Sequence, residues 1–185
     1  MITSETTARA LESWIARADK LGAEAKLVDP SNVATAEWVR MKCRYGCPDY
    51  GTSAMCPPAT PAPEETRRLL DEYDAALLLR VAVPAGDDAA EQSRRLSCIA
   101  MTVERELFLA GFHKAFAIIA GGFCSPCDTR ECLPAGCCLF AEHARPPMAA
   151  SGIDVFATTA AVGWPLEVVS DGDHPYRLFA LVLVR

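Results

Sequence analysis

Cysteines are the residues of this sequence best suited to chemistry, and eight of the nine lie in two short segments. The downstream segment, residues 121–138, reads GGFCSPCDTRECLPAGCC. The upstream segment, residues 43–58, reads CRYGCPDYGTSAMCPP. Thiolates are soft ligands that favour zinc or iron over calcium, magnesium or manganese. The clustering therefore predicts two cysteine-rich metal-binding loops.

The downstream segment contains enough thiolates for a complete metal centre. Four of them fall within fifteen residues, at Cys124, Cys127, Cys132 and Cys138. Four thiolates suit either a tetrahedral zinc ion or a 4Fe-4S cluster. The flanking glycines favour the cluster, because they let backbone amides approach its sulfides. The segment also follows a predicted strand, which is where open α/β sheets bind ligands.

The upstream segment contains three thiolates, at Cys43, Cys47 and Cys56, and no histidine is close to them in sequence. A closed zinc site would have to borrow a fourth ligand, such as Asp49 or a downstream cysteine. A 4Fe-4S cluster accepts three protein ligands and leaves one iron open for a small molecule. Ligand preference therefore ranks one or two 4Fe-4S clusters above zinc. A single metal shared by both loops remains an alternative.

Two functional hypotheses follow from these ligand sets. The first is an iron–sulfur protein that transfers electrons with a redox partner or activates a small-molecule substrate. The second is a zinc-stapled binding module without catalysis. The sequence specifies no reaction, since it contains no phosphate-binding glycine loop, nucleophile elbow or His-Glu-x-x-His motif.

Length and charge narrow the class of protein. A chain of 185 residues suits one domain over residues 1–185, and it can bury a core without disulfides. Its net charge of −6 argues against nonspecific nucleic-acid binding, which needs a basic surface. No apolar run reaches the roughly 20 residues of a membrane helix, and no signal peptide is recognisable. The cytoplasm is the expected compartment, where clustered cysteines more often bind metals than form disulfides.

Hydrophobic periodicity predicts helices interleaved with strands, hence an α/β or α+β domain with one sheet and helices packed on it. Helices are predicted at residues 7–21, at residues 34–41, from Pro63 onward, from residue 87 or 88 to residue 110, and at residues 155–162. Strands are predicted at residues 25–28, 75–83, 115–120, 166–169 and 176–184. We expect Trp38 and Met41 to pack inward, and Cys98 to be a small buried side chain in the fourth helix.

Beyond the ligands, the sequence resembles the family of predicted metal-binding proteins called domain of unknown function 2284. The matching features are CRYGCPDYGTSAMCPP, GGFCSPC after a strand, and CCLFAEHARPPMAASGIDV. In that register Cys138, rather than Cys137, takes the family's cysteine position. Ala141 stands where such proteins usually carry proline, and Ala149 where an acidic residue is common. The resemblance implies metal binding and iron–sulfur chemistry, and no particular reaction.

Overall fold

The computed structural model describes residues 4–121, 138, 140–169 and 174–185. The helices in this part of the chain are α1 (Ser4–Lys20), α2 (Glu37–Gly46), α3 (Pro63–Leu70), α4 (Ala89–Leu109) and α5 (Val155–Ala161). The strands are β1 (Glu24–Val28), β2 (Ala76–Val83), β3 (Phe116–Ile118) and β4 (Tyr176–Leu183). Short 3-10 turns occur at Pro30–Asn32, Ala141–His143 and Ala149–Ser151.

The four described strands form one sheet in the order β1-β2-β4-β3. Every neighbouring pair is antiparallel, so the domain is α+β, one of the two predicted classes. Strand β4 lies inside the sheet between β2 and β3, as its apolar residues on both faces predict. The downstream segment was compared with the ligand sites of open α/β sheets. That comparison was wrong, because the rule applies to parallel strands and these strands are antiparallel.

Helices cover both faces of the sheet. On one face, the predicted stripe of α4 is buried against β2 and β4, through Leu96, Ile99, Ala100, Val103 and Leu107. Asp88 caps this helix, as predicted, by accepting hydrogen bonds from the N–H groups of Ala90 and Glu91. The opposite face buries a second cluster that includes Val33, Leu70, Met148 and Ile153. Val39 of α2 lines the same pocket as Ile153 of this cluster, whereas Met55 of the upstream cysteine loop packs in the first cluster.

Three local predictions about strands and side-chain burial were wrong. Residues 166–169 form no strand, and Val168 is largely exposed. Cys98 is exposed rather than buried, because at about 100° per residue it lies off the buried stripe of α4. Trp38 and Met41 are about half exposed, at 45% and 46%, because α2 turns Val39 toward the core instead.

The segment 146–154, here called the clamp, connects the end of β3 to the start of α2. At one end, Ile119 donates its N–H to the Pro146 carbonyl at 3.0 Å, and Met148 donates to the Ile119 carbonyl at 3.0 Å. At the other end, Ala36 donates to the Gly152 carbonyl at 2.8 Å. The clamp thus fixes where α2, and the cysteine it carries, lies relative to the sheet.

Gly152 is required at the end of the clamp that contacts α2. Its φ of +76° is left-handed, and an added Cβ would contact Pro63 Cγ and lie 2.9 Å from Pro63 Cβ. We expect Gly152→Ala to lower the free energy of unfolding by about 3 kcal/mol, from backbone strain plus overlap. Gly86→Ala is the control, since φ is +81° there but nothing lies within 4 Å of the added Cβ. Urea denaturation should show a loss of about 1 kcal/mol for the control, and equal losses would contradict the prediction.

Candidate metal site

The three upstream cysteines line one cavity of about 320 Å³, here called the thiol cavity. Its other lining residues come from the loop after α2, the end of β3 and the clamp: Asp49, Tyr50, Thr52, Ser53, Met55, Pro57, Gly121, Pro147, Ala149 and Ala150. The fold therefore brings together thiols that lie up to thirteen positions apart in sequence.

Each upstream thiol is positioned by a different piece of local structure. Cys43 lies in the last turn of α2, so the prediction that this helix ends at Met41 was wrong. Cys47 is the C-terminal capping residue, and its N–H donates to the Cys43 carbonyl at 3.2 Å. Cys56 lies in the turn-rich loop that follows, where its N–H donates to the Ser53 carbonyl at 3.0 Å. The helix end and one tight turn therefore set the spacing of the thiols.

Ser53 is a polar neighbour of the Cys56 sulfur. Its hydroxyl donates to Cys56 Sγ at 3.4 Å, and the Met55 N–H donates to Ser53 Oγ at 3.2 Å. Ser53 is 4% exposed, so the hydroxyl is held within the protein. A hydroxyl donor stabilises a thiolate, and such neighbours orient metal ligands.

Arg40 holds the loop that carries Cys56 against α2 and the clamp. Its Nη1 donates to the carbonyls of Thr60 at 3.2 Å, Pro61 at 2.8 Å and Ala150 at 2.7 Å. Thr60 Oγ1 adds a bond of 2.7 Å to the same Ala150 carbonyl. Since Arg40 is on the helix that carries Cys43, one side chain links the structural supports of two thiols.

The thiols influence one another electrostatically. Burial is the main cause that raises the pKa of the Cys43 thiol, and the negative charges of Cys47 and Cys56 raise it further. The positive charge of Arg40 acts in the opposite direction. Three thiolates in this cavity would therefore repel each other, and a bound cation would relieve that repulsion.

The donor chemistry fits a metal centre, although the side chains are not already arranged around a single point. All cysteines in the described ranges are free thiols: Cys43, Cys47, Cys56, Cys98 and Cys138. Within those ranges, no group of three Cys, His, Asp or Glu side chains is positioned to hold one metal ion. Binding at the thiol cavity would therefore require the cysteine side chains to turn toward each other.

Of the four downstream cysteines proposed as ligands, one lies among the described residues. Cys124, Cys127 and Cys132 lie outside the described residues. Cys138 is described and half-buried, but it is not among the residues that line the thiol cavity. Gly121 does line this cavity, so the chain enters the downstream segment at the cavity wall.

The exposed Cys98 belongs to a different surface. It lines a separate cleft of about 540 Å³ together with His143 and Arg145. No histidine is among the described residues around the thiol cavity. Within the described part of the chain, the thiols at the thiol cavity are those of the upstream set, and the thioether of Met55 also lines it.

Sequence reasoning missed two supporting residues. Ser53 could have been found from its position three residues before Cys56, the spacing of a tight turn. Arg40 lies three residues before Cys43 on a helix, but its partners at Thr60 and Ala150 are distant in sequence. Only the tertiary fold reveals the second relationship.

The family model for predicted metal-binding proteins, domain of unknown function 2284, matches residues 26–184. The chain belongs to this family. The match confirms the resemblance inferred from the two cysteine loops and from the sequence around the clamp. It supports metal binding without naming the metal. Ala149, one of the two positions expected to depart from the family pattern, lines the thiol cavity.

Two further comparisons add no relatives. No curated protein and no solved structure matched the chain. In the described part of the chain, none of the helices has the length and apolar character needed to cross a bilayer.

Proposed function

We propose that this chain is an iron–sulfur protein whose upstream thiols, Cys43, Cys47 and Cys56, hold a 4Fe-4S cluster at the thiol cavity. A second centre would use the downstream set of Cys124, Cys127, Cys132 and Cys138. The cluster at the thiol cavity would supply electron transfer, or an iron without a protein ligand at which a small molecule is activated. The alternative is a zinc-stapled binding module, and the identity of the bound metal distinguishes the two.

One observation carries the proposal: three free cysteines line a single cavity that has no histidine among its described lining residues. Three thiolates are one short of a closed structural zinc site, and the zinc alternative would need Asp49, which lines the same cavity, as its fourth ligand. The same three are sufficient for a cluster with one iron open. Cys138 does not line this cavity, so among the described cysteines the upstream three alone meet there.

The residues of the chain would support such a centre in separate ways. The Ser53 hydroxyl donates to the sulfur of Cys56 and so favours its thiolate form. Arg40 keeps the Cys56 loop against α2 and contributes positive charge close to Cys43. Hydrogen bonding and nearby charge are the means by which proteins tune the potential of a cluster.

The proposed partners follow from this chemistry. They are a redox partner protein or a small-molecule substrate, in the reducing cytoplasm where thiolates remain available. Nucleic acid is not a proposed partner, since the net charge is −6.

Anaerobic purification of the full chain tests the proposal. We expect a brown protein that contains several irons, with a broad visible absorption that bleaches on reduction with dithionite. The control is the same preparation after iron chelation, which should be colourless. A colourless preparation with stoichiometric zinc would exclude the iron–sulfur proposal and establish the zinc alternative.

A further inference from the structure

A groove of about 760 Å³ lies next to the thiol cavity, between α2 and α5. Val39 and Ile153 are buried in its wall, at 7% and 0% exposure. Cys43, Cys47 and Ala149 line both the groove and the thiol cavity, so the two spaces share a wall. A molecule in the groove would therefore lie directly beside Cys43 and Cys47.

The groove exposes an unusual amount of apolar surface. Trp38, Met41 and Tyr45 lie three to seven residues apart on α2, so they share one helical face. Phe156 adds a fourth large apolar side chain from α5. All four are at least 45% exposed. Large exposed apolar patches mark binding sites, and the groove volume is typical of small-molecule sites.

The charged side chains around the groove indicate what kind of ligand it would bind. Among the described residues that line the groove, only Lys42 is charged, in a protein with a net charge of −6. Its Nζ lies 5.1 Å from the ring centroid of Trp38. The guanidinium of Arg44 lies 5.4 Å from the ring centroid of Tyr45. Two cations beside exposed rings favour a ligand that combines an apolar body with a negative charge.

We propose that this groove binds a flat, largely apolar small molecule with one anionic group, such as an aromatic carboxylate, beside the upstream thiols. Its body would cover the rings of Trp38 and Phe156, and its anionic group would pair with Lys42. This inference rests on the proposed function, because it assigns the groove to the substrate of the metal centre in the adjoining cavity.

A pair of matched probes tests the groove. The anionic probe is 8-anilinonaphthalene-1-sulfonate, and the neutral probe is N-phenyl-1-naphthylamine, the same ring system without the sulfonate. Calorimetric titration of the anaerobically purified full chain should give one site per chain and tighter binding of the anionic probe. Trp38→Ala and Phe156→Ala should each weaken binding of both probes about tenfold. Lys42→Gln should weaken only the anionic probe, by about threefold.

The control is Leu109→Ala, which removes a side chain that is 71% exposed at the end of α4, outside the groove. Its affinity for both probes should equal that of the unaltered chain. Equal binding by all variants would overturn the proposal. So would a dimer that excludes the probe and dissociates on Trp38→Ala, because a second copy would then cover the groove.

Metal content measured on the same samples separates this inference from the proposed function. Iron retained in Trp38→Ala, together with weakened probe binding, supports a ligand site distinct from the metal ligands. A metal-loaded chain that binds neither probe would overturn the groove proposal alone. A metal-free chain that still binds the probe would overturn the proposed function and leave the groove as a ligand site.

Discussion

Replacing Cys56 by serine is expected to remove roughly half of the bound iron, because a hydroxyl is a poor substitute for a soft thiolate. Cys56 lines the thiol cavity together with Cys43 and Cys47. Loss of one of only three ligands should empty that centre, while the downstream set keeps its own. Iron analysis and the visible spectrum of Cys56→Ser measure the loss directly.

Cys98→Ser is the matched control for this prediction. Cys98 is a free, exposed cysteine on α4 that lines a different cleft, so its substitution should leave the iron content unchanged. Unchanged iron in Cys56→Ser would show that the thiol cavity holds no centre. Complete loss of iron would indicate one centre shared between both loops, the alternative that the sequence left open.

Replacing Arg145 by alanine is expected to lower the free energy of unfolding by about 3 kcal/mol. Arg145 Nη2 lies 2.6 Å from Glu104 Oε1, and its Nε lies 2.8 Å from Glu104 Oε2. The two side chains are only 20% and 12% exposed. Arg145→Ala would therefore leave the Glu104 carboxylate buried, with the Ala117 N–H among its remaining donors at 2.7 Å.

The Arg17–Glu106 pair provides the control for Arg145→Ala. It is also bidentate and also involves α4, with Arg17 Nε and Nη2 at 2.7 Å and 2.6 Å from the two carboxylate oxygens. Its side chains are 38% and 32% exposed, so water screens the pair. Urea denaturation should show a much smaller loss for Arg17→Ala. Equal losses for the two variants would contradict the role of burial.

The ion pair of Arg145 also helps to hold the clamp in place. Arg145 immediately precedes the clamp, and its ion pair with Glu104 ties that end to α4. The Ala117 N–H donates to the same carboxylate, so β3 is held at the same point. The run from Arg145 to Val155, which carries part of the family resemblance, is thus a structural connection between β3, α4 and α2.

Local patterns predicted much of the fold. The buried stripe of α4, the cap at Asp88 and the interior position of β4 all follow from the spacing of apolar and capping residues over a few turns. The strand at residues 166–169 was wrong because a short apolar run carries no information about a partner strand. Strand pairing is a long-range property that such a run cannot specify.

The sequence by itself identified the candidate ligands of this protein, because cysteines and their spacing are local properties of the chain. The tertiary structure decided which surfaces the helices expose. Helix α2 has apolar residues on two sides, at Val39 and at Trp38 and Met41, so its periodicity did not define the buried face. Backbone contacts between Ala36 and Gly152, more than one hundred residues apart, turn Val39 inward and leave the others in the groove. The same contacts place Cys43 beside the loop that carries Cys56, in a cavity that spacing alone could not predict.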